Sequence, residues 1–402
     1  MTEFVPASRV SRIKSSPSVA AAGRVRELKA EGRRILDLTV GEPDFDTPVN
    51  IKEAAIAAVR NGETKYTAVA GTPALQAAII HSMESRTGVR YTPDRITIGG
   101  GAKQVIFTAF MASLGEGDEV VIPAPYWVSY PDMVLANEGT PVIVECGEDT
   151  GFKLTPESLA AALTDRSKWL ILNTPSNPTG AVYTEEELRG LARVLADFPQ
   201  VHVLTDEIYD EIYFGTERPA CLLRVAPELD GRVLMVNGVS KSYAMTGWRL
   251  GYAVGPKPVI AAINKLQSQI SSCPSSVSQA AAAEALTGDQ TFVLESRDVY
   301  RSRRDIAVAG LNAIDGLACK TPDGAFYAYV NCAGVVGKTT PDGAVISNDE
   351  DFTMYLLDSA SVAVIQGSAY GVGPYFRISY ATSVEVINEA LAAIEKSVMA
   401  LS

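Results

Sequence analysis

Residues 169–209 read WLILNTPSNPTGAVYTEEELRGLARVLADFPQVHVLTDEIY. The run Trp169–Leu172 is short, bulky and apolar, the pattern of a strand covered on both faces. Pro175-Ser176-Asn177-Pro178-Thr179-Gly180 interrupts it with turn dipeptides. Residues 184–196 then space their apolar side chains as a helix does, and Val201–Leu204 returns to strand character. Strand, helix and strand in so short a span predict a parallel crossover unit.

The alternation extends in both directions. Helices are predicted over 73–86, 103–114 and 156–163, with a helical stretch near 127–136. They separate the runs Arg95–Ile98, Glu119–Ile122 and Pro141–Val144, while Val233–Val236 and Leu250–Val254 follow. These seven runs predict a large α/β domain: a mostly parallel seven-stranded sheet with helices on both faces. Upstream, residues 18–32 read as an amphipathic helix, ILDLTVG (35–41) as a strand entering a Gly/Pro loop, and 49–60 as a helix.

Beyond about residue 290 the texture changes. A charged helix (292–312) leads to the strand-like GAFYAYV (324–330) and a loop rich in Gly, Thr and Pro (333–348). A further helix, AVIQG, YFRISYA and a final helix complete a smaller α+β domain, against which the N-terminal helix is expected to pack. The predicted division is 1–47 as an N-terminal arm and part of the small domain, 48–290 as the large domain and 291–402 as the small one.

The 402 residues carry a net charge of −12 and a pI near 4.9. That balance argues against nucleic acid, whose phosphates need a basic surface. It leaves room for a small anionic substrate in a locally basic pocket. The five cysteines form no CxxC pair and are read as free thiols of a reducing compartment. No run approaches 18 apolar residues and the first residues lack the apolar core of a signal peptide, so no membrane association is expected and the expected location is cytoplasmic. The two histidines, His81 and His202, lie in a helical stretch and an apolar run and read as structural. Neither a metal site nor a Ser-His-Asp triad is expected, and proton transfer falls to another group.

In parallel sheets, ligands gather beyond the carboxyl ends of the strands. Several polar clusters stand there. Gly99-Gly100-Gly101-Ala102-Lys103-Gln104 opens a helix, where backbone N–H groups and the helix terminus favour an anion. Asn177 lies in the turn after Asn173, Asp206-Glu207-Ile208-Tyr209 follows VHVLT, and Gly238-Val239-Ser240-Lys241 follows VLMVN, with Arg249 eight residues on.

Taken together and in order, GEPDFDTP (41–48), TKY (64–66), PYWVSYP (125–131), NPTGAVY (177–183), DEIY (206–209), SK (240–241), AMTGWRLGYAVGP (244–256), RRD (303–305), GAFY (324–327) and FRISYAT (376–382) carry a resemblance. They resemble the class I/II aminotransferases of the fold type I pyridoxal 5′-phosphate (PLP) enzymes, specifically the bacterial branch of aspartate aminotransferases. The likeness runs from about Arg9 to the C-terminus.

The resemblance implies PLP as cofactor, amino acids and 2-oxo acids as substrates, and a homodimer with shared active sites. It makes Lys241 the Schiff-base lysine and proton carrier, Asp206 the partner of the pyridine nitrogen, Tyr209 the phenol at the 3′ oxygen with Asn177 beside it, and Trp127 the ring that stacks on the cofactor. Gly101, Ala102, Ser240 and Arg249 would hold the phosphate, with Tyr66 reaching in from the neighbouring subunit. Arg377 would fork onto the substrate α-carboxylate, with Gly41 closing from the other side.

QSQISSCPSSVSQ (267–279) lacks the arginine that another branch uses for a side-chain carboxylate. The resemblance gives that task to Lys103, which favours a dicarboxylic amino acid such as aspartate and 2-oxoglutarate as acceptor. Lys14 matches a basic position that helps some members admit prephenate. Three departures stand out: Ala102 for a glycine, Gly238 where some relatives offer a hydroxyl, and Ala282 where close relatives often carry tryptophan. The alternatives are a prephenate, aromatic or specialised biosynthetic aminotransferase, or another PLP reaction such as a C–S lyase or cyclopropane-forming synthase. A transcriptional regulator built on the same fold is disfavoured, because the likeness starts too early for a preceding DNA-binding domain.

Overall fold

The computed structural model describes residues 4–14 and 17–402. Its first strand, β1 (Leu36–Asp37), is followed by seven that build the large sheet: β2 (Ile96–Gly99), β3 (Glu119–Ala124), β4 (Thr140–Glu145), β5 (Ser167–Asn173), β6 (His202–Asp206), β7 (Val233–Gly238) and β8 (Gly251–Val254). Their order is β2-β8-β7-β6-β5-β3-β4. β8 alone runs against its neighbours, β2 and β7, and the rest of the sheet is parallel.

Period-two alternation explains why both faces are buried. Leu170 and Leu172 of β5 join the core containing Leu188 and Leu191 of the helix Glu185–Ala196, whereas Trp169 and Ile171 join Ile106 and Phe110 of the helix Ala102–Ser113. Thr184 caps the first of these helices in a reciprocal box with Glu187, a feature worth about 1 kcal/mol.

Four short strands form an antiparallel sheet in the order β12-β13-β10-β9: β9 (Ala318–Cys319), β10 (Tyr327–Asn331), β12 (Ile365–Gln366) and β13 (Tyr375–Ser379). β11 (Val362–Ala363) pairs in parallel with β1. Val25 and Leu28 of the helix Pro17–Ala30 pack with Ile35, Leu357 and Ala363, which joins that helix to this sheet's surroundings.

Two local differences from the sequence reading matter. The helix expected from 127 begins at Tyr130, with Pro131 in its first turn where a missing N–H costs nothing. Trp127 therefore stands in the preceding turn, facing the cleft. The helices Lys257–Ile270 and Ser276–Thr287 were not anticipated. Among the described residues, no helix is long and apolar enough to cross a membrane.

Candidate active site

Strand direction assembles the site. β2, β3, β5, β6 and β7 all point their carboxyl ends to one edge of the sheet. The reversed β8 starts there: Gly251 pairs with Gly99 on one side and Gly238 on the other. Arg249, just before β8, thus arrives at the same edge as residues that follow β2 and β7. Gly251 must lack a side chain, because a Cβ would collide with the backbone nitrogen of Ala102.

A cleft of about 550 Å³ opens at this edge. It brings together Gly41, Ala102, Lys103, Trp127, Asn177, Asp206, Tyr209, Ser240, Lys241, Arg249 and Arg377. Gly101 lies beneath it at φ 96°, where a Cβ would press on the Arg249 guanidinium. Tyr66 is 91% exposed and lies outside this cleft. Lys14 lies in an adjoining groove of about 440 Å³ that shares Lys103 and Arg249 with the cleft. Its backbone N–H is bonded to Asp132.

The Lys241 ammonium donates to the Gly41 carbonyl and lies 5.9 Å from the Tyr209 ring centre. Burial, reinforced by Arg377 and Arg249 and opposed by Glu42 and Asp206, pulls its pKa down to about 8. Roughly a tenth of such an amine is neutral at pH 7. Asp206 is 4% exposed, and burial raises its carboxyl to about 6, against the pull of the Tyr130 hydroxyl that donates to it at 2.7 Å. It is still mostly ionised at neutral pH.

Two tyrosines in this shell went unassigned in the sequence reading. Tyr130 stands three residues after Trp127, and their rings meet edge to face at 5.3 Å. Tyr327, in the GAFY string, shares a 2.9 Å hydroxyl–hydroxyl bond with Tyr209 and sits under the Arg377 guanidinium. The i, i+3 spacing was a signal for the first; the second comes from the other sheet, and local spacing gives no hint of it.

The four cations of the cleft are held by neutral groups. Lys241 rests on a carbonyl, and Arg249 on the carbonyls of Thr246 and Gly100. Arg377, 3% exposed, donates to Asn177 Oδ1 at 2.9 Å and Thr39 O at 2.7 Å, and its buried Nε has no hydrogen-bond partner among the described residues. Lys103 lies 4.7 Å from the Trp127 ring centre, and its pKa is lowered by burial and by Arg249. Against these stand Glu42 and Asp206. A chain of net charge −12 therefore keeps a cation-rich hollow, and such a hollow suits a ligand bearing more than one anionic group.

An amine held partly neutral, beside fixed cations for anions, suits chemistry on the amino groups of acidic small molecules. The sequence model of Aminotransferase class I and II matches residues 33–394, and the chain belongs to that family. It is 51% identical over 388 residues to an aspartate aminotransferase of Rhizobium meliloti, covering 96% of this chain and 95% of the relative. It is 50% identical over 393 residues to an aspartate/prephenate aminotransferase of Cereibacter sphaeroides, covering 98% of each. The crystal structure of the Rhizobium meliloti aspartate aminotransferase superposes with a TM-score of 0.97 at 50% identity, covering 100% of both chains. The Thermus thermophilus aspartate aminotransferase with maleate gives 0.92 at 38% identity, covering 98% of this chain and 100% of that one.

Proposed function

We propose that this aminotransferase uses pyridoxal 5′-phosphate to move an amino group between a dicarboxylic amino acid, best read as aspartate, and 2-oxoglutarate. The observation that carries the reading is the single cleft in which Lys241 and Asp206 stand among cations held by neutral partners. Its residues fit the cofactor. Gly101 and Ala102 at a helix start, Ser240 and Arg249 form a cradle suited to a phosphate, completed by Tyr66 of a second copy in a homodimer. Asp206, ionised and buried, suits a protonated ring nitrogen, with Trp127 on the ring face. Tyr209 and the Asn177 amide suit the ring oxygen. When bound, PLP supplies the carbonyl that captures the amino group and the ring that accepts the electron pair released at the substrate α-carbon.

The chain's own residues do the rest. Lys241, poised near neutrality by burial, holds the cofactor and then carries the proton to and from the α-carbon. Arg377, already oriented by Asn177 and Thr39, receives the α-carboxylate as a fork, with Gly41 closing above it. Lys103 receives the distal carboxylate. The maleate named with the Thermus structure is itself a dicarboxylate, which supports this choice. The two sheets, with their separate cores, also support a division of the chain near residue 290.

A second reading has its own observation. The groove beside the cleft, lined by Ile13, Lys14 and Phe107, offers room and charge for prephenate as a further substrate, and the Cereibacter relative is named for it.

The test is half-reaction spectroscopy of PLP-loaded protein with aspartate, glutamate, alanine, phenylalanine and prephenate partners, after borohydride mapping of the cofactor to Lys241. Aspartate should discharge the cofactor band fastest. Label on another lysine overturns the mechanism. With cystathionine as a further substrate, cleavage to homocysteine, pyruvate and ammonia without an acceptor makes the chain a C–S lyase.

A further inference from the structure

The loop after β6 divides its side chains. Asp206 and Tyr209 face the cleft, while Glu207 and Asp210 turn away from it into the interior, 2% and 6% exposed. Both meet Arg86, in the last turn of the helix Pro73–Thr87 and 7% exposed. The guanidinium donates to Glu207 at 2.7 Å and is ion-paired with Asp210. Asp210 also accepts, at 2.8 Å, from the side-chain amide of Asn237. Asn237 is 2% exposed and stands one residue before the end of β7. Its side-chain Oδ1 accepts from Gly238 N–H at 2.7 Å, at the root of the segment that carries Ser240 and Lys241.

Stability alone is a poor reason for such a cluster. One guanidinium faces two buried carboxylates, and buried ion pairs seldom outperform well-packed apolar side chains of similar volume. What a planar fork does supply is fixed geometry. The β6–β7 ladder ends where Glu207 N–H donates to Val236 O at 2.9 Å, so the side-chain bond from Asn237 to Asp210 carries the connection onward between the two loops.

We propose that Arg86, Glu207, Asp210 and Asn237 form a positioning network that registers the β6 and β7 loops. Asp206 and Tyr209 on one loop, and Ser240 and Lys241 on the other, then meet a single rigid ligand together. This rests on the PLP reading above. The network touches neither cofactor nor substrate; it acts through the residues that do.

The experiment uses full-length apoprotein of the wild type, Asp210→Asn, Asn237→Ala, their double variant and Arg86→Lys. Asp230→Asn serves as control, because it breaks a bidentate bridge to Arg95 (2.6 and 3.0 Å) away from both loops. Each is measured for Tm, for PLP Kd by titration, and for the fraction of Lys241 trapped by borohydride. Asp210→Asn and Asn237→Ala should bind PLP roughly 10–100-fold more weakly, the scale of a lost charge-assisted hydrogen bond. The double variant should lose little more than either single one. Asp230→Asn should lower Tm yet keep the wild-type Kd. Wild-type Kd and trapping in both network variants, with a Tm loss like the control's, overturn the proposal. If Asp210→Asn does not fold, Asn237→Ala decides alone, since it leaves every charge in place. Failure of the wild type itself to take up PLP at Lys241 sinks the functional reading instead.

Discussion

Lys241 and Asp206 both carry a stability cost in the apoprotein near neutral pH, and the signs differ. Lys241 titrates near 8, below an unfolded lysine, so its penalty is complete below pH 8 and fades as pH rises towards the unfolded value. Asp206 titrates near 6, above an unfolded aspartate, so its penalty is complete above pH 6 and vanishes below about pH 4. Asp206→Asn should therefore stabilise the apoprotein at pH 8, by on the order of 1–3 kcal/mol, and give no gain at pH 4. Urea unfolding at the two pH values checks it. On the role proposed for Asp206, the same substitution should remove most transamination, because an amide would not hold a ring proton. The two cations proposed to bind substrate divide differently. Arg377→Leu should damage every amino acid alike, since all carry an α-carboxylate. Lys103→Ala should slow aspartate and glutamate about 10–100-fold more than alanine in kcat/KM. Equal slowing would make Lys103 a cofactor or structural residue. That Lys241, Asp206 and Arg377 converge on one cleft was legible from motif order. Tyr130 and Tyr327 were not, because a hydroxyl's partner depends on which turn it faces after folding.

At the scale of elements, the reversed β8 is what brings Arg249 and the start of the Ala102 helix to the same edge of the cleft. Gly251 is the contact between them. Gly251→Ala should push the Ala102 backbone away, destabilising the fold by about 1–3 kcal/mol and weakening PLP binding. Gly247→Ala, with open space around it, should do neither. Thermal unfolding and PLP titration of the pair make the comparison. The strands were readable because each is a compact apolar run bounded by turn residues. The reversal of β8 was not, since a run of apolar residues carries no direction. The helix Ser276–Thr287 escaped notice for a related reason: SQAAAAEAL has helix-forming alanines but only one large apolar side chain, Leu286, too few to trace a stripe.

For the whole molecule, the exposed Tyr66 sets the sharpest test. If a second copy supplies it, mixing Tyr66→Ala protein with Lys241→Ala protein should create hybrid dimers with one complete site each. Random exchange rebuilds about a quarter of all sites, so activity should exceed the sum of the two preparations. Simple addition would return Tyr66 to its own chain or to no role. The family and the two-sheet architecture were legible at this scale from ordered motifs. The register between the sheets was not, because contacts such as Tyr209 with Tyr327 join residues more than a hundred positions apart.

The placement of the three tryptophans has an optical consequence. Trp169 is 1% exposed within the large sheet, Trp248 is tied to Thr47, and Trp127 lines the cleft beside Lys103. A chromophore seated in the cleft lies against only one of the three indoles. Its arrival should quench a fraction of the emission while the buried Trp169 keeps a blue-shifted background, and Trp127→Phe should abolish most of that change. The protein thus carries its own fluorescent gauge of occupancy, readable without a label.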